Sequence, residues 1–68
     1  MKKLGDLIQD KDYPEDIAII IQDDELRDDV CVFWLAGHTA GGTSCEQREW
    51  VEKDFDLLSS AKKNSRKI

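Results

Sequence analysis

The chain has 68 residues, of which 37% are charged, and its formal net charge is −5. A chain of this length forms one domain with a small core, which leaves little room for a deep substrate cavity, so we predict that it is not an enzyme. The acidic balance disfavours nucleic-acid binding by the folded part, because the body repels phosphate groups. No run approaches the roughly 18 apolar residues of a membrane span.

The charges are divided unevenly along the chain. Residues 1–60 hold all fifteen acidic residues and six of the ten basic residues, and we predict that they form a single small domain. Residues 61–68 hold four bases and no acid, and we predict a disordered basic tail. We expect any contact with nucleic acid to use the bases of this tail, which are Lys62, Lys63, Arg66 and Lys67.

The first half of the chain predicts three strands. Residues 3–8 contain a Gly-Asp step with apolar residues on both sides, a pattern typical of a short strand entered through a turn. Ile17–Ile21 is β-branched at four of five positions, which favours a strand. Val30–Leu35 is an unbroken apolar run with β-branched and aromatic residues at its centre. We expect the acidic connection 22–29 either to protrude or to be entered by the two strands.

Both faces of the third strand are apolar. Two sets of side chains alternate along it, namely Val30, Val32 and Trp34 on one side and Cys31, Phe33 and Leu35 on the other. A bare hairpin cannot bury both faces. Either the sheet curls into a barrel whose outside is covered by other elements, or one face is an exposed contact surface.

The segment after the glycine-rich stretch 36–43 has two interpretations. A helix over residues 44–62 is favoured by propensity and by the spacing of Val51, Phe55 and Leu58, and it would give an α+β fold with a three-stranded antiparallel sheet. Alternatively, residues 46–51 form a strand, residues 52–54 turn, and Phe55–Leu58 form a short last strand. The residues alone leave both interpretations open.

Four short motifs carry a family resemblance. They are Lys3-Leu4-Gly5-Asp6-Leu7-Ile8, then Ile19-Ile20, then Val32-Phe33-Trp34, and finally Trp50-Val51 followed after three residues by Phe55-Asp56-Leu57-Leu58-Ser59. In this order they resemble small proteins of tailed bacteriophages and phage-like environmental relatives, most of which have no assigned activity. Those proteins share a Gly-Asp-Leu-Val opening and an acidic-Leu-Glu-Val-Ile closing strand. Where the family has glycine in the second strand, this chain has Ala18.

The resemblance implies a mainly β fold, a small five-stranded Src-homology-3-like (SH3-like) barrel. In that barrel the closing strand returns beside the opening one. Strands that are apolar on both faces favour the same fold, because a closed barrel buries the inner face of every strand in one core and leaves few free edges.

Cys31, Cys45 and His38 are the residues that a metal site or a reactive nucleophile would require. Zinc sites use close pairs such as Cys-x-x-Cys, which the sequence lacks. A cysteine–histidine nucleophile needs a third group that orients the base, and none is indicated. We therefore predict no metal, no cofactor and no catalytic residue. Without a recognisable signal peptide, we expect free thiols in a reducing cytoplasm, that of the host if the protein is viral.

Aromatic residues suggest a surface for a partner. In peptide-binding barrels, aromatic side chains on one face of the sheet form slots for proline-rich segments. The candidate partner-binding residues are Tyr13, Cys31, Phe33, Leu35, Trp34 and Trp50, with a place in the core as the alternative for either tryptophan. We predict a phage-derived, non-enzymatic protein–protein interaction module that binds another protein or a second copy of itself. The alternative is a nucleic-acid-associated protein that uses the basic tail, or an acidic mimic of DNA.

Overall fold

The computed structural model of the chain describes residues 2–61. They form five strands and a helix, in the order β1 (Leu7–Asp10), β2 (Ile17–Asp24), β3 (Asp29–Ala36), β4 (Thr43–Gln47), α1 (Arg48–Asp54) and β5 (Phe55–Ser59). Apart from Ala61, the predicted disordered tail lies outside the described residues, and so do its four bases, Lys62, Lys63, Arg66 and Lys67.

The five strands form one antiparallel sheet with the order β4-β3-β2-β1-β5. The last strand pairs with the first, so that Leu57 lies opposite Ile8. Register shifts interrupt the pairing of β2 with β3 and of β1 with β5, and such bulges bend and twist a sheet. The prediction of a small, mainly β, barrel-like fold is confirmed, including the return of the closing strand beside the opening one.

Each of the two interpretations of residues 44–60 is correct only in part: the strand predicted over 46–51 ends at Gln47, and a helix takes the place of the rest of it and of the turn predicted over 52–54. The helix α1 has seven residues and lies between two strands, so the alternative fold with one helix over residues 44–62 is wrong. Phe55–Ser59 is the last strand, where the strand interpretation placed it. The helical spacing of Val51 and Phe55 arises because both side chains reach the core, although one belongs to the helix and the other to the strand.

The core lies on the inner face of the curled sheet. It consists of eight buried side chains, namely Ile8, Ala18, Ile20, Val30, Val32, Trp34, Val51 and Phe55. Trp34 donates its indole N–H to Ser44 Oγ at 3.0 Å, which satisfies the one polar atom that burial of the ring would otherwise leave without a partner. The inner positions of β3 are therefore core, and the opposite set points outward.

Candidate functional site

The outer side of the sheet carries a continuous apolar surface, which we call the outer apolar face. Its members alternate with core residues along β1, β2 and β3, and they are Leu7, Ile17, Ile19, Ile21, Phe33 and Leu35. Ile21 is 47% exposed and Leu35 is 48% exposed, while the other four are partly exposed. Solvent therefore reaches hydrophobic side chains across three adjacent strands.

The register of the strands builds this surface. Ile19 lies opposite Leu7 on one side and opposite Phe33 on the other, so three strands contribute to one row. Directly opposite side chains in a sheet have Cβ atoms about 4.5–5.5 Å apart and pack against each other. Register shifts flank Ile21 and Leu35, the two most exposed members of the face. Leu7, Ile19 and Phe33 therefore form the packed centre of the outer apolar face, and Ile21 and Leu35 are its most solvent-accessible side chains.

Acidic residues lie at both ends of the outer apolar face. Asp24 lies opposite Asp29 at one end of the β2–β3 hairpin, and Asp56 of β5 lies opposite Gln9 at one edge. Glu15 and Asp16 precede Ile17 at the other end of β2. Among residues 2–61, no outward-facing strand position holds lysine or arginine. The surface is thus apolar at its centre and negative at both ends.

The structure separates the predicted partner-binding residues into four locations. Phe33, Leu35 and Cys31 lie on the outer side of β3. Trp34 is in the core, which was the alternative for this residue. Trp50 lies on α1 with its ring edge-on to Phe55, and Tyr13 lies in the loop between β1 and β2, edge-on to His38. These four locations do not form one aromatic slot.

Four further members of the outer apolar face were not among the predicted site residues. They are Leu7, Ile17, Ile19 and Ile21. The signal for three of them was the alternation of β2, which already places Ile17, Ile19 and Ile21 on one side of a strand. Leu7 belongs to the face only because of the register of β1 against β2. The pattern of residues along one strand does not show how that strand is aligned with its neighbour.

Cys31 and Cys45 lie directly opposite each other on β3 and β4 and form a disulfide. Their Cα atoms are 3.9 Å apart. The prediction of free thiols is therefore wrong, because the register of this hairpin brings together two cysteines that are 14 residues apart in sequence. Pairing also removes both residues as metal ligands or nucleophiles.

A shallow, open depression lies beside the edge strand β4 and the helix α1. It is lined by Asp29, Cys45, Glu46, Gln47 and Trp50. The Trp50 ring is held by an edge-to-face contact with Phe55, with the ring centroids 4.9 Å apart. Because Phe55 belongs to the core, the indole has a rigid support on one side and solvent on the other.

His38 lies beside two carboxylates at the loop end of the sheet. Its Nδ1 atom is 3.5 Å from Asp16 Oδ1 and 3.8 Å from Glu15 Oε2. The backbone N–H of His38 also donates to Asp16 Oδ1, at 3.1 Å. The sequence suggested Cys31 and Cys45 as the only companions for this histidine at a metal site, whereas the structure brings it to Glu15 and Asp16.

No protein-family model, no curated protein and no solved structure matches the chain. The resemblance to small phage proteins therefore stays a prediction that depends on the four short motifs. Within the described part of the chain, no helix has the length and apolar character needed to cross a membrane.

Proposed function

We propose that the protein is a non-enzymatic protein–protein interaction module that binds its partner on the outer apolar face. The observation that carries this proposal is the row of Leu7, Ile19 and Phe33 on the solvent side of the sheet. Removing apolar surface from water contributes roughly 25 cal/mol per Å². Contiguous exposed apolar surfaces of this kind commonly mark sites of contact with other molecules. The motif resemblance supports a phage or phage-like origin.

The charges around the outer apolar face favour a particular kind of partner. Acids lie at both ends of the face, with Asp24 and Asp29 at one end and Glu15 and Asp16 at the other. A second copy of the chain would bring acid against acid in either orientation, which like-charge repulsion disfavours. The complementary occupant is a protein segment with an apolar centre and lysine or arginine on both sides.

Selection from displayed random peptides tests this proposal without a known partner. Peptides of about 12 residues are suitable, because an extended chain of about 3.3 Å per residue then spans the 33 Å length of the domain. We expect the oxidised full chain to enrich peptides that have an apolar centre flanked by basic residues. Fluorescence anisotropy with a synthetic copy of an enriched peptide then gives its affinity.

A matched pair of variants locates the binding surface. Ile21→Glu combined with Leu35→Glu places charge on the outer apolar face, and we expect it to weaken peptide binding by at least about tenfold, or 1.4 kcal/mol. Leu26→Glu makes the same chemical change in the turn between β2 and β3, where Leu26 is 99% exposed, and should leave binding unchanged. Far-UV circular dichroism shows whether each variant is folded.

Three results would contradict the proposal. One is the absence of enriched peptides, and another is enrichment without basic residues. The third is a homodimer, seen by analytical ultracentrifugation, that Ile21→Glu with Leu35→Glu dissociates. That result would assign the outer apolar face to a second copy of the chain rather than to a basic partner.

A further inference from the structure

We propose that Glu15, Asp16 and His38 form a binding site for a divalent transition-metal ion of the zinc class. Each residue offers one ligand atom, and the three atoms all lie within 4.8 Å of one another. The residues come from two different loops, since Glu15 and Asp16 lie between β1 and β2 and His38 lies between β3 and β4. The site shares Glu15 and Asp16 with one acidic end of the proposed partner surface, but zinc binding can be measured without any partner.

The spacing of the ligand atoms suits a small ion. Zinc binds imidazole nitrogen and carboxylate oxygen at about 2.0–2.2 Å, which places tetrahedral ligands about 3.3–3.5 Å apart. The 3.5 Å between His38 Nδ1 and Asp16 Oδ1 already has this value. Glu15 Oε2 is 3.8 Å from Nδ1, and its side chain is half exposed, so a small rotation brings it into place. The solvent side leaves a fourth position for water.

Two features bring the two loops together and fix one of the ligands, Asp16, before any ion arrives. The Asp16 side chain is only 15% exposed and accepts the backbone N–H of His38. Gly37, which has a φ of 97°, allows the two loops to approach, because a Cβ there would overlap the Asp16 carboxylate. Asp16 is thereby fixed in position, whereas the Glu15 and His38 side chains, which are 54% and 73% exposed, would be ordered by the ion.

The types of donor atom select the ion. Imidazole nitrogen with carboxylate oxygen suits zinc, cobalt and nickel, whereas magnesium and calcium prefer ligand sets made of oxygen alone. The acidic surroundings also attract cations. A bound ion would join the β1–β2 loop to the β3–β4 loop and would stabilise the folded state by mass action.

Titration of the oxidised full chain with zinc chloride tests the site. Isothermal calorimetry in a buffer without chelators or reductant should show one ion per chain. Amide ¹H–¹⁵N spectra should show the largest changes at Glu15, Asp16 and His38. Zinc should also raise the thermal unfolding midpoint, and the same concentration of magnesium should not.

Substitutions identify the ligands. His38→Gln should weaken zinc binding by at least about tenfold, because metal affinity depends steeply on each ligand, and it should abolish the thermal shift. Glu15→Gln should weaken binding, while Glu25→Gln, which removes the same charge in an exposed turn, should not. The proposal is overturned by the absence of saturable zinc binding, by affinity that His38→Gln leaves unchanged, or by spectral changes centred elsewhere. Circular dichroism confirms that the variants remain folded.

Discussion

Arg48, the first residue of α1, forms an ion pair with Asp23 of β2. Its Nε atom lies 3.2 Å from Asp28 Oδ1, and its backbone N–H donates to the Asp28 carbonyl oxygen at 2.9 Å. One buried guanidinium thereby fixes the start of the helix to the β2–β3 hairpin.

Arg48→Met should lower the free energy of unfolding by about 3 kcal/mol. The methionine keeps most of the apolar stem but leaves the largely buried Asp23 carboxylate without its cation, and uncompensated buried charge is costly. Urea unfolding followed by tryptophan fluorescence measures the change. Arg27→Met is the matched control, because Arg27 is exposed in the hairpin turn, and it should change stability by less than about 0.5 kcal/mol. Equal losses in the two variants would show that the ion pair contributes nothing.

Gly37→Ala should destabilise the protein more than Gly41→Ala. Both glycines have positive φ, 97° and 89°, so both substitutions carry the cost of about 1–2 kcal/mol for a left-handed L-residue. A Cβ at Gly37 would also overlap the Asp16 carboxylate, whereas a Cβ at Gly41 meets nothing within 4 Å. The difference between their thermal midpoints isolates the steric contact. If the two midpoints agree, the loops separate without cost, and the close approach at Asp16 has no energetic importance.

The strands could be predicted because their residues carry the information locally. β-Branched runs and alternation identify β2 and β3, and both strands extend into the acidic connection, to Asp24 and from Asp29. The helix was harder to place, because seven residues are too few to form a stable helix without tertiary packing. Its spacing pattern continues into β5 through Phe55, a core residue, so the sequence could not show where helix ends and strand begins.

The candidate sites were only partly predictable for a similar reason. Alternation along β3 predicted that Phe33 and Leu35 point away from Trp34. The disulfide and the contact of His38 with Asp16 depend instead on the register of β3 with β4 and on how two loops pack. His38 and Asp16 are 22 residues apart in sequence. Neither residue spacing nor composition contains that information.

Reduction of the disulfide should lower the free energy of unfolding by about 3 kcal/mol. Cys31 and Cys45 are 14 residues apart in sequence. Closing a loop of this size lowers the conformational entropy of the unfolded chain, which stabilises the folded state by about 3 kcal/mol. Urea unfolding with and without a phosphine reductant measures the loss, and Cys31→Ser with Cys45→Ser should be insensitive to the reductant. Protein purified without reductant and then denatured should show no free thiol with a thiol reagent. Two free thiols per chain would contradict the disulfide.

Asp6→Ala should destabilise the domain by about 2–3 kcal/mol and loosen both ends of the described chain together. The Asp6 carboxylate is buried. Its two oxygens accept the backbone N–H groups of Lys3 and Ala61, each at 2.8 Å. Alanine removes two hydrogen bonds to a charged acceptor, each worth about 1.5 kcal/mol or more. Urea unfolding measures the total loss of stability.

Native-state hydrogen exchange separates the local effect of Asp6→Ala from the global one. We expect the Ala61 amide to lose more protection than amides of the core strand β3, because its partner is removed directly. Asp6→Asn should be intermediate, since its amide group offers one acceptor oxygen in place of two. Asp56→Ala changes an exposed carboxylate and should alter neither measurement. If Ala61 exchanges equally fast in the wild type and in Asp6→Ala, the carboxylate does not hold Ala61 against the Gly5–Asp6 turn.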